Sequence, residues 1–413
     1  MRILEGVAAV GYVRRLERRG QRLDVLEPRV RRIVQSVRRD GDRALRQYAE
    51  RWDGLLPKQS LQVSRTEMHT ALAACPRQLR TAMEEAARSI RNFCGWQKPK
   101  DWERTRQGRS LRQMLRPLSA AGCYIPGGRY PLFSTLLMTV IPAQVAGVKE
   151  IRVVSPRPAQ ATLAAAALLG INEFYRVGGA QAIAALAYGT KTIKQVDKIV
   201  GPGNLFVTTA KQIVAFDCAI DFLAGPTEGL ILCDKGNAAF IGADLVAQAE
   251  HDPDALVLLI TRSRKLAAAV SRAVDSSSRE NSIARRAVLK HGAVLLASSR
   301  AQAVAWTNRI APEHLTTTRQ NLPDIVSAGS IFLGDYSAQA VGDYGSGPNH
   351  VLPTGGAARF RGGLSVSDFI KVITVQEVSR AGLKKIAPSI VALAEAEGLN
   401  AHAQSVRLRC GRA

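Results

Sequence analysis

Residues 174–204 read FYRVGGAQAIAALAYGTKTIKQVDKIVGPGN, and this stretch decides the fold. A short apolar run, Phe174–Val177, predicts a strand that ends in a Gly-Gly turn, and the alanine-rich Ala180–Tyr188 predicts the helix that follows. A second predicted strand, Lys198–Val200, ends in the Gly-Pro-Gly turn 201–203. Alternating strands, glycine turns and helices are typical of a parallel sheet with right-handed crossovers.

The same alternation extends in both directions from this stretch. It covers residues 118–228 and restarts over 229–365, so the sequence predicts two α/β units in succession. Residues 1–117 show apolar residues at helical spacing, and we expect this helical N-terminal region to pack on the second α/β unit. Residues 366–413 are predicted to form a helical C-terminal tail.

Composition limits the class of protein. The chain has 413 residues, of which 46% are hydrophobic and 22% charged, and this argues against global disorder. No apolar run reaches the roughly 18 residues that a membrane helix needs. The first five residues, MRILE, lack the apolar core of a signal peptide. We therefore expect a cytoplasmic protein, of a length that is common among enzymes, with no membrane partner.

The net charge of +23 leaves a second class of function open. Residues 1–120 alone hold 27 Lys and Arg against 13 Asp and Glu, as a nucleic-acid-binding protein would. However, acidic residues are interleaved with the basic ones, and no known nucleic-acid-binding module accompanies them. We predict a solvated basic surface with no specific nucleic acid as partner.

Three glycine-rich turns follow predicted strands, at 126–128, 178–179 and 201–203. Such turns at the carboxyl ends of strands are where open α/β sheets bind ligands, because glycine lets the backbone approach a phosphate. None of them is a G-x-G-x-x-G, and no P-loop lysine is present. The pattern alone leaves nucleotide binding and ordinary turns as alternatives.

Four of the six histidines lie in dense polar segments: His251, His314, His350 and His402. Gln248 and His251 share a helix face, and with Asp343 and His402 they offer the nitrogen and oxygen ligands that zinc accepts. The adjacent Glu313 and His314 could share acid and base duties. Spacing alone also fits helix-capping or core roles for all of these residues.

Taken together, these segments resemble the histidinol dehydrogenase family over nearly the whole chain. Several long motifs occur in the order that the family shows. The most specific of them are GCYIPGG at 122–128, VGGAQAIAALAYGT at 177–190, DKIVGPGN at 197–204, QAEHDPD at 248–254, IAPEHL at 310–315 and GDYGSGPNHVLPT at 342–354.

The resemblance implies an NAD-dependent four-electron oxidation of L-histidinol to L-histidine through bound L-histidinal, the last step of histidine biosynthesis. It implies a homodimer with shared active sites and one Zn²⁺ per subunit. Residues 118–228 would be a Rossmann-like NAD-binding unit and 229–365 a second Rossmann-like unit that carries zinc and the catalytic residues, while the tail would cross the dimer. The alternative is a zinc- and NAD-dependent dehydrogenase of another small polar alcohol on the same scaffold.

The resemblance also assigns roles to particular residues. The implied zinc ligands are Gln248, His251, Asp343 and His402. The implied NAD contacts are Tyr124, Gln181 and Asn204. The implied substrate-binding residues are Thr227, Gln248, His251, His314, Asp343, Glu397 and His402, with His350 beside them. Thr227 departs from the serine that the family usually has there, and its added methyl group could narrow the pocket.

The residue types suit the implied chemistry. A neutral imidazole, with an ordinary pKa of about 6.5, is a suitable base at neutral pH, and we assign to His314 the proton removal in both oxidation steps. We assign to Glu313 the activation of the water that adds to the aldehyde. Zinc would hold and orient the substrate, which is the template role of a catalytic metal.

Overall fold

The computed structural model describes residues 1–20, 23–127 and 131–411. Within these residues the chain divides into two compact units, the first made of residues 1–97 and 119–369 and the second of residues 98–118 and 370–413. The β-strands are β1 (Arg2–Glu5), β2 (Trp102–Arg106), β3 (Arg109–Pro117), β4 (Ala120–Tyr124), β5 (Glu150–Val154), β6 (Glu173–Tyr175), β7 (Lys198–Val200), β8 (Ala219–Ile220), β9 (Glu228–Leu232), β10 (Leu256–Thr261), β11 (Ala293–Leu296), β12 (His314–Thr317), β13 (Ser330–Leu333) and β14 (Ile370–Val378).

Helices connect most of these strands. The α-helices are α1 (Gly6–Glu17), α2 (Glu27–Asp40), α3 (Asp42–Tyr48), α4 (Arg65–Ala73), α5 (Arg77–Gln97), α6 (Phe133–Ala146), α7 (Gln160–Leu168), α8 (Gly179–Tyr188), α9 (Leu205–Val214), α10 (Ala238–Ala249), α11 (Arg264–Ser277), α12 (Ser282–His291), α13 (Arg300–Ile310), α14 (Gln339–Tyr344), α15 (Arg380–Ala396) and α16 (Asn400–Arg409). A π-helical turn at Ala49–Asp53 and short 3-10 turns complete the set.

The first unit contains two parallel sheets. The five-stranded sheet has the order β6-β5-β4-β7-β8, and every neighbouring pair is parallel. The chain therefore starts at the central β4, moves outward to β6, and returns to the other side of β4 with β7. This reversal is the switch point at which doubly wound sheets bind ligands beyond the carboxyl ends of their strands.

The six-stranded sheet repeats this arrangement around β9. Its order is β1-β11-β10-β9-β12-β13, again with parallel neighbours throughout. The N-terminal strand β1 is added at the edge beside β11. Two parallel sheets with the same outward-and-back order confirm the predicted α/β fold class with two Rossmann-like units.

The helices of the N-terminal region pack on both sheets. On α1, Ala9, Val13 and Leu16 are buried in the core of the six-stranded sheet, as the sequence predicted. The apolar stripe of α2, by contrast, packs against α8 in the core of the five-stranded sheet, and α4 and α5 contact α7 and α6. The prediction of packing on the second α/β unit is therefore wrong for these three helices. The helical periodicity predicts an apolar face and does not specify its partner.

The second unit corrects the predicted helices at 98–117 and 370–378. Strands β2 and β3 form a hairpin, and β14 pairs antiparallel with β3. The hairpin turns at Gln107 and Gly108, whose φ angles of 51° and 72° give the two positive values that a two-residue hairpin loop requires. The tail is helical only from α15 onward, because the β-branched Val372, Ile373 and Val375 favour a strand before it.

No helix in the described part of the chain is both long enough and apolar enough to span a bilayer.

Candidate active site

Glu313 and His314 lie side by side in the interior, at the amino end of β12. Both side chains are buried. The backbone N–H of Glu228, at the amino end of the neighbouring β9, donates a 2.9 Å hydrogen bond to Oε2 of Glu313. His314 Nδ1 lies 3.3 Å from the carbonyl oxygen of Glu228 and 3.7 Å from Oε2 of Glu313. When Nδ1 carries the proton toward that carbonyl, Nε2 keeps its lone pair and can accept a proton.

The loop before the pair is held by its backbone. Ala311 ends α13 with φ at 49°, a left-handed conformation that is unusual for a residue other than glycine. Gly329 and Ser330 donate backbone hydrogen bonds to the carbonyls of Pro312 and Glu313. A Cβ on Gly329 would stand 2.6 Å from the Glu313 carbonyl oxygen, so this close approach requires glycine.

The environment shifts the pKa of both groups upward. Burial raises the pKa of the Glu313 carboxyl, although the neighbouring His314 and the Glu228 amide oppose this. Burial acts to lower the pKa of the His314 imidazole, but the carboxylates of Glu313 and Asp343 outweigh it and leave that pKa above its ordinary value. Upward shifts in adjacent buried groups are typical of sites that exchange protons.

Asp343, at the carboxyl end of α14, faces this pair. Its Oδ1 lies 3.8 Å from His314 Nε2 and 3.9 Å from His350 Nδ1. Burial alone would raise the pKa of Asp343, but His314, His350 and His251 together hold it below its usual value. The carboxylate therefore stays charged in the presence of three imidazoles.

Gln248 and His251 are at and just beyond the end of α10. The amide of Gln248 is almost fully buried, at 1% exposure, and neither its Nε2 nor its Oε1 has a hydrogen-bond partner among the described residues. An unpaired buried amide is costly and calls for an explanation such as an ion. An amide oxygen, imidazoles and a carboxylate form a donor set that zinc accepts.

The described ranges contain no group of three or more His, Cys, Asp or Glu side chains arranged to hold a metal ion. Of the four predicted ligands, Gln248 is an amide, and His402 is exposed on α16 of the second unit. Within the first unit, His251 and Asp343 remain as the imidazole and carboxylate, beside the unpaired Gln248. The buried amide is thus the observation that fits a metal, and zinc stays a prediction.

A cavity of about 330 Å³ opens next to His314. His314, His350 and Gly342 line it, as does Phe332, whose ring stacks over His314 at a centroid distance of 6.1 Å. Ligand pockets start at about 300 Å³, so this volume suits a small polar molecule.

The predicted NAD contacts lie in the five-stranded sheet. Tyr124 is the last residue of β4, and its hydroxyl accepts a hydrogen bond from Gly179 N–H at 3.1 Å. Gln181 is buried in the first turn of α8. Asn204 caps α9 by accepting hydrogen bonds from the N–H groups of Phe206 and Val207. Gly128, which ends the first glycine motif, lies outside the described residues.

Asp53 is a residue of this region that the sequence analysis missed. Its Oδ2 accepts hydrogen bonds from Gly178 N–H at 2.9 Å and from Gln181 Nε2 at 3.0 Å. Burial raises the pKa of Asp53, and these two hydrogen bonds oppose that rise. Asp53 precedes the turn by more than a hundred residues, and no local pattern in the sequence connects it with the turn.

The remaining predicted substrate residues are separated between the units. Thr227 is half-buried and directly precedes Glu228, whose backbone holds the catalytic pair. Glu397 and His402 are exposed residues of the second unit. Their roles stay predictions.

The chain is similar to known proteins over almost its whole length. The family model described as histidinol dehydrogenase matches residues 16–410. Histidinol dehydrogenase from Methanothermobacter thermautotrophicus is 46% identical over 401 residues, covering 94% of this chain and 93% of the relative. The Haloarcula marismortui histidinol dehydrogenase is also 46% identical, with 94% of each chain covered.

Among solved structures, the crystal structure of histidinol dehydrogenase from Elizabethkingia anophelis superposes with a TM-score of 0.93 at 38% identity. The match covers 99% of this chain and 98% of that one.

Proposed function

The chain belongs to the histidinol dehydrogenase family of oxidoreductases, and from this premise we propose that it oxidises L-histidinol to L-histidine with two NAD as the last step of histidine biosynthesis. Each NAD accepts one hydride. The alcohol first becomes the bound aldehyde L-histidinal, with release of one proton. Water then adds to the aldehyde, and the second hydride loss gives the acid. We place this activity in the cytoplasm.

The buried Glu313–His314 pair is the observation that carries the proposal. In the first step His314 accepts the hydroxyl proton at Nε2, because its Nδ1 lies against the Glu228 carbonyl. The cavity beside Nε2 is where the reacting carbon would be held. A general base within reach of the proton contributes about 10²- to 10⁴-fold to the rate.

In the second step Glu313 accepts a proton from the attacking water, and His314 again takes the proton released on oxidation. The backbone N–H of Glu228 fixes the Glu313 carboxylate while this occurs. One base then serves both oxidations, and the second carboxylate serves only hydration. This division predicts that the two half-reactions differ in their sensitivity to Glu313.

Gln248, His251 and Asp343 would hold zinc, together with His402 of a second copy of the chain. Bound zinc would supply a cationic centre that orients the nitrogen atoms of the substrate. Support comes from the unpaired buried amide of Gln248 and the charged state of Asp343. We assign NAD to the carboxyl edge of the five-stranded sheet, beside Tyr124.

The direct test measures product stoichiometry. We expect two NADH per L-histidinol consumed, with no aldehyde released to a trapping reagent. One NADH per substrate with free aldehyde would contradict the two-step reaction. Faster turnover of another polar alcohol would identify a different substrate on the same scaffold.

The zinc assignment has its own test. The purified protein should hold about one zinc per subunit, which dialysis against a strong chelator removes. His251→Ala should lose both metal and activity, whereas His291→Ala, at the half-buried histidine that ends α12, should keep both. Full zinc content in His251→Ala would contradict the ligand assignment.

Shared active sites are tested by complementation between subunits. Homodimers of His314→Asn and of His402→Ala should each be nearly inactive. In the heterodimer one site collects both lesions and the other has none, so about half of the wild-type activity should return by the two-fold symmetry. Verified heterodimers without recovered activity would show that each site belongs to one chain.

A further inference from the structure

We propose that Arg19 is a positioning residue for the Glu313–His314 pair and acts through Glu228. The inference rests on the proposed function, because it takes that pair as the acid–base group. Arg19 is the second residue beyond the carboxyl end of α1, in the arginine-rich N-terminal region. The sequence analysis interpreted the charge of this region as a solvated surface.

Arg19 has a specific set of partners in the interior. Its Nε donates to Oε1 of Glu228 and its Nη2 donates to Oε2, each at 2.6 Å, in the two-pronged geometry that only a guanidinium provides. Its Nη1 donates to the carbonyls of Leu16 at 2.7 Å and Ile310 at 2.8 Å. The side chains are 16% exposed for Arg19 and 5% for Glu228, so the pair is largely excluded from water.

Glu228 transmits this contact to the catalytic pair. Its side chain is fixed by Arg19 and by the N–H of Gly355, which donates to Oε1 at 3.0 Å. Its backbone N–H holds the carboxylate of Glu313, and its carbonyl faces Nδ1 of His314. A displacement of Glu228 therefore moves the partners of both catalytic groups at once.

Arg19 also contacts the backbone just before the Glu313–His314 pair, at the carbonyl of Ile310. Ile310 ends α13 and lies only three residues before Glu313, so its carbonyl is where the catalytic loop begins. One guanidinium thus ties the start of β9 to the start of the loop that carries Glu313 and His314. A buried carboxylate without its partner is unstable, so Glu228 would move or take up water if Arg19 were removed.

The experiment compares three variants with the wild type. Arg19→Lys keeps the positive charge and loses the two-pronged contact, and Glu228→Gln keeps the shape and loses the charge. Glu17→Gln is the matched control: it breaks the ion pair from Glu17 to Arg309, 2.7 Å long, which also joins α1 to α13 and does not involve Glu228. If one test variant fails to fold, the other makes the same test.

We expect Arg19→Lys and Glu228→Gln to lower kcat for L-histidinol by about tenfold to a hundredfold, as small misplacements of catalytic groups do. The KM values should stay within about threefold, and Glu17→Gln should behave as wild type. A second readout is independent of activity. Nitrogen NMR of histidine-labelled protein should show His314 with Nδ1 protonated in wild type and control, and a mixture of tautomers in the two test variants.

Wild-type kcat together with an unchanged His314 tautomer in a folded test variant would overturn the proposal. The same loss of kcat in Glu17→Gln would also overturn it, because the effect would then belong to any link between α1 and α13. Failure of the proposed function has a different signature: the wild type makes no NADH from L-histidinol, and the NMR comparison alone then decides the role of Arg19.

Discussion

The two parallel sheets of the first unit share one strand order, yet their sites lie at opposite edges. In the five-stranded sheet, Tyr124 and the turns at 178–179 and 201–203 follow the carboxyl ends of strands. In the six-stranded sheet, Glu228 and His314 begin β9 and β12, so the catalytic pair lies at the amino edge. Repetition of a strand arrangement therefore does not repeat the position of the proposed site residues, which lie at the carboxyl edge of one sheet and at the amino edge of the other.

The polar side chains at the two edges also differ. At the carboxyl edge they are paired within the protein: Asp53 binds Gln181, and Asn204 caps α9. At the amino edge the amide of Gln248 is buried and unpaired. The unpaired amide of Gln248 is the feature of the amino edge that supports the proposed metal site.

The largest loss of activity is expected from a substitution at the amino edge of the six-stranded sheet. His314→Asn should lower kcat by about a thousandfold in both oxidation steps, because it removes the base common to them. Zinc content should not change, since His314 is not among the proposed ligands. His291→Asn, at a half-buried position at the end of α12, is the control and should be fully active. A loss of only a few fold would show that another group removes the proton.

Glu313→Gln should separate the two steps. We expect about a hundredfold loss with L-histidinal and a much smaller loss with L-histidinol, measured in separate half-reaction assays. Equal losses would contradict the assignment of water activation to Glu313.

The same variant should change the pH dependence of the first step. The negative charge of Glu313 raises the pKa of His314, and His314 works as a base only when it is unprotonated. The alcohol half-reaction of the wild type should therefore rise with pH as His314 loses its proton. Without the charge of Glu313 this rise should move to lower pH. A rise at the same or higher pH would contradict the coupling.

A smaller effect is expected at the carboxyl edge. Asp53→Asn removes the negative charge of the side chain whose Oδ2 accepts both hydrogen bonds, from Gly178 N–H and from Gln181 Nε2, and so weakens both of them. A charged hydrogen bond contributes about 1.5–3 kcal/mol, so KM for NAD should rise by about tenfold or more while kcat at saturating NAD stays close to wild type. A lower kcat with unchanged KM would place Asp53 in the chemistry instead.

The sequence was sufficient for the fold class, and the catalytic role that it suggested for Glu313 and His314 stays a prediction. Alternating strands and helices predicted both parallel sheets, because that pattern depends on local residues. The resemblance identified Glu313 and His314, which the structure finds buried in contact. Prediction failed at β2, β3 and β14, where strands in exposed segments have a weak apolar pattern, and at α2, where the partner of an amphipathic face is set by tertiary packing.

Asp53 and Arg19, which contact residues of the two proposed sites, could not be predicted, for a different reason. Asp53 reaches Gly178, and Arg19 reaches Glu228, across long separations in sequence. Each occurs among many similar charged residues in the N-terminal region. Only the fold shows which arginine contacts Glu228 and which aspartate contacts the turn at 178–179.

The claim that the amino edge binds a metal is tested most directly by substitutions of two buried glutamines, one at each edge. Gln181 is 2% exposed and bonded to Asp53, and Gln248 is 1% exposed and unpaired. In chelator-treated protein, Gln248→Leu should raise the thermal midpoint, because it removes an unpaired buried amide that costs about 1–3 kcal/mol. Gln181→Leu should lower the midpoint by breaking a hydrogen bond to a carboxylate. We predict that the thermal midpoint shifts in opposite directions in the two variants. Equal decreases in both variants would contradict a metal site at the amino edge.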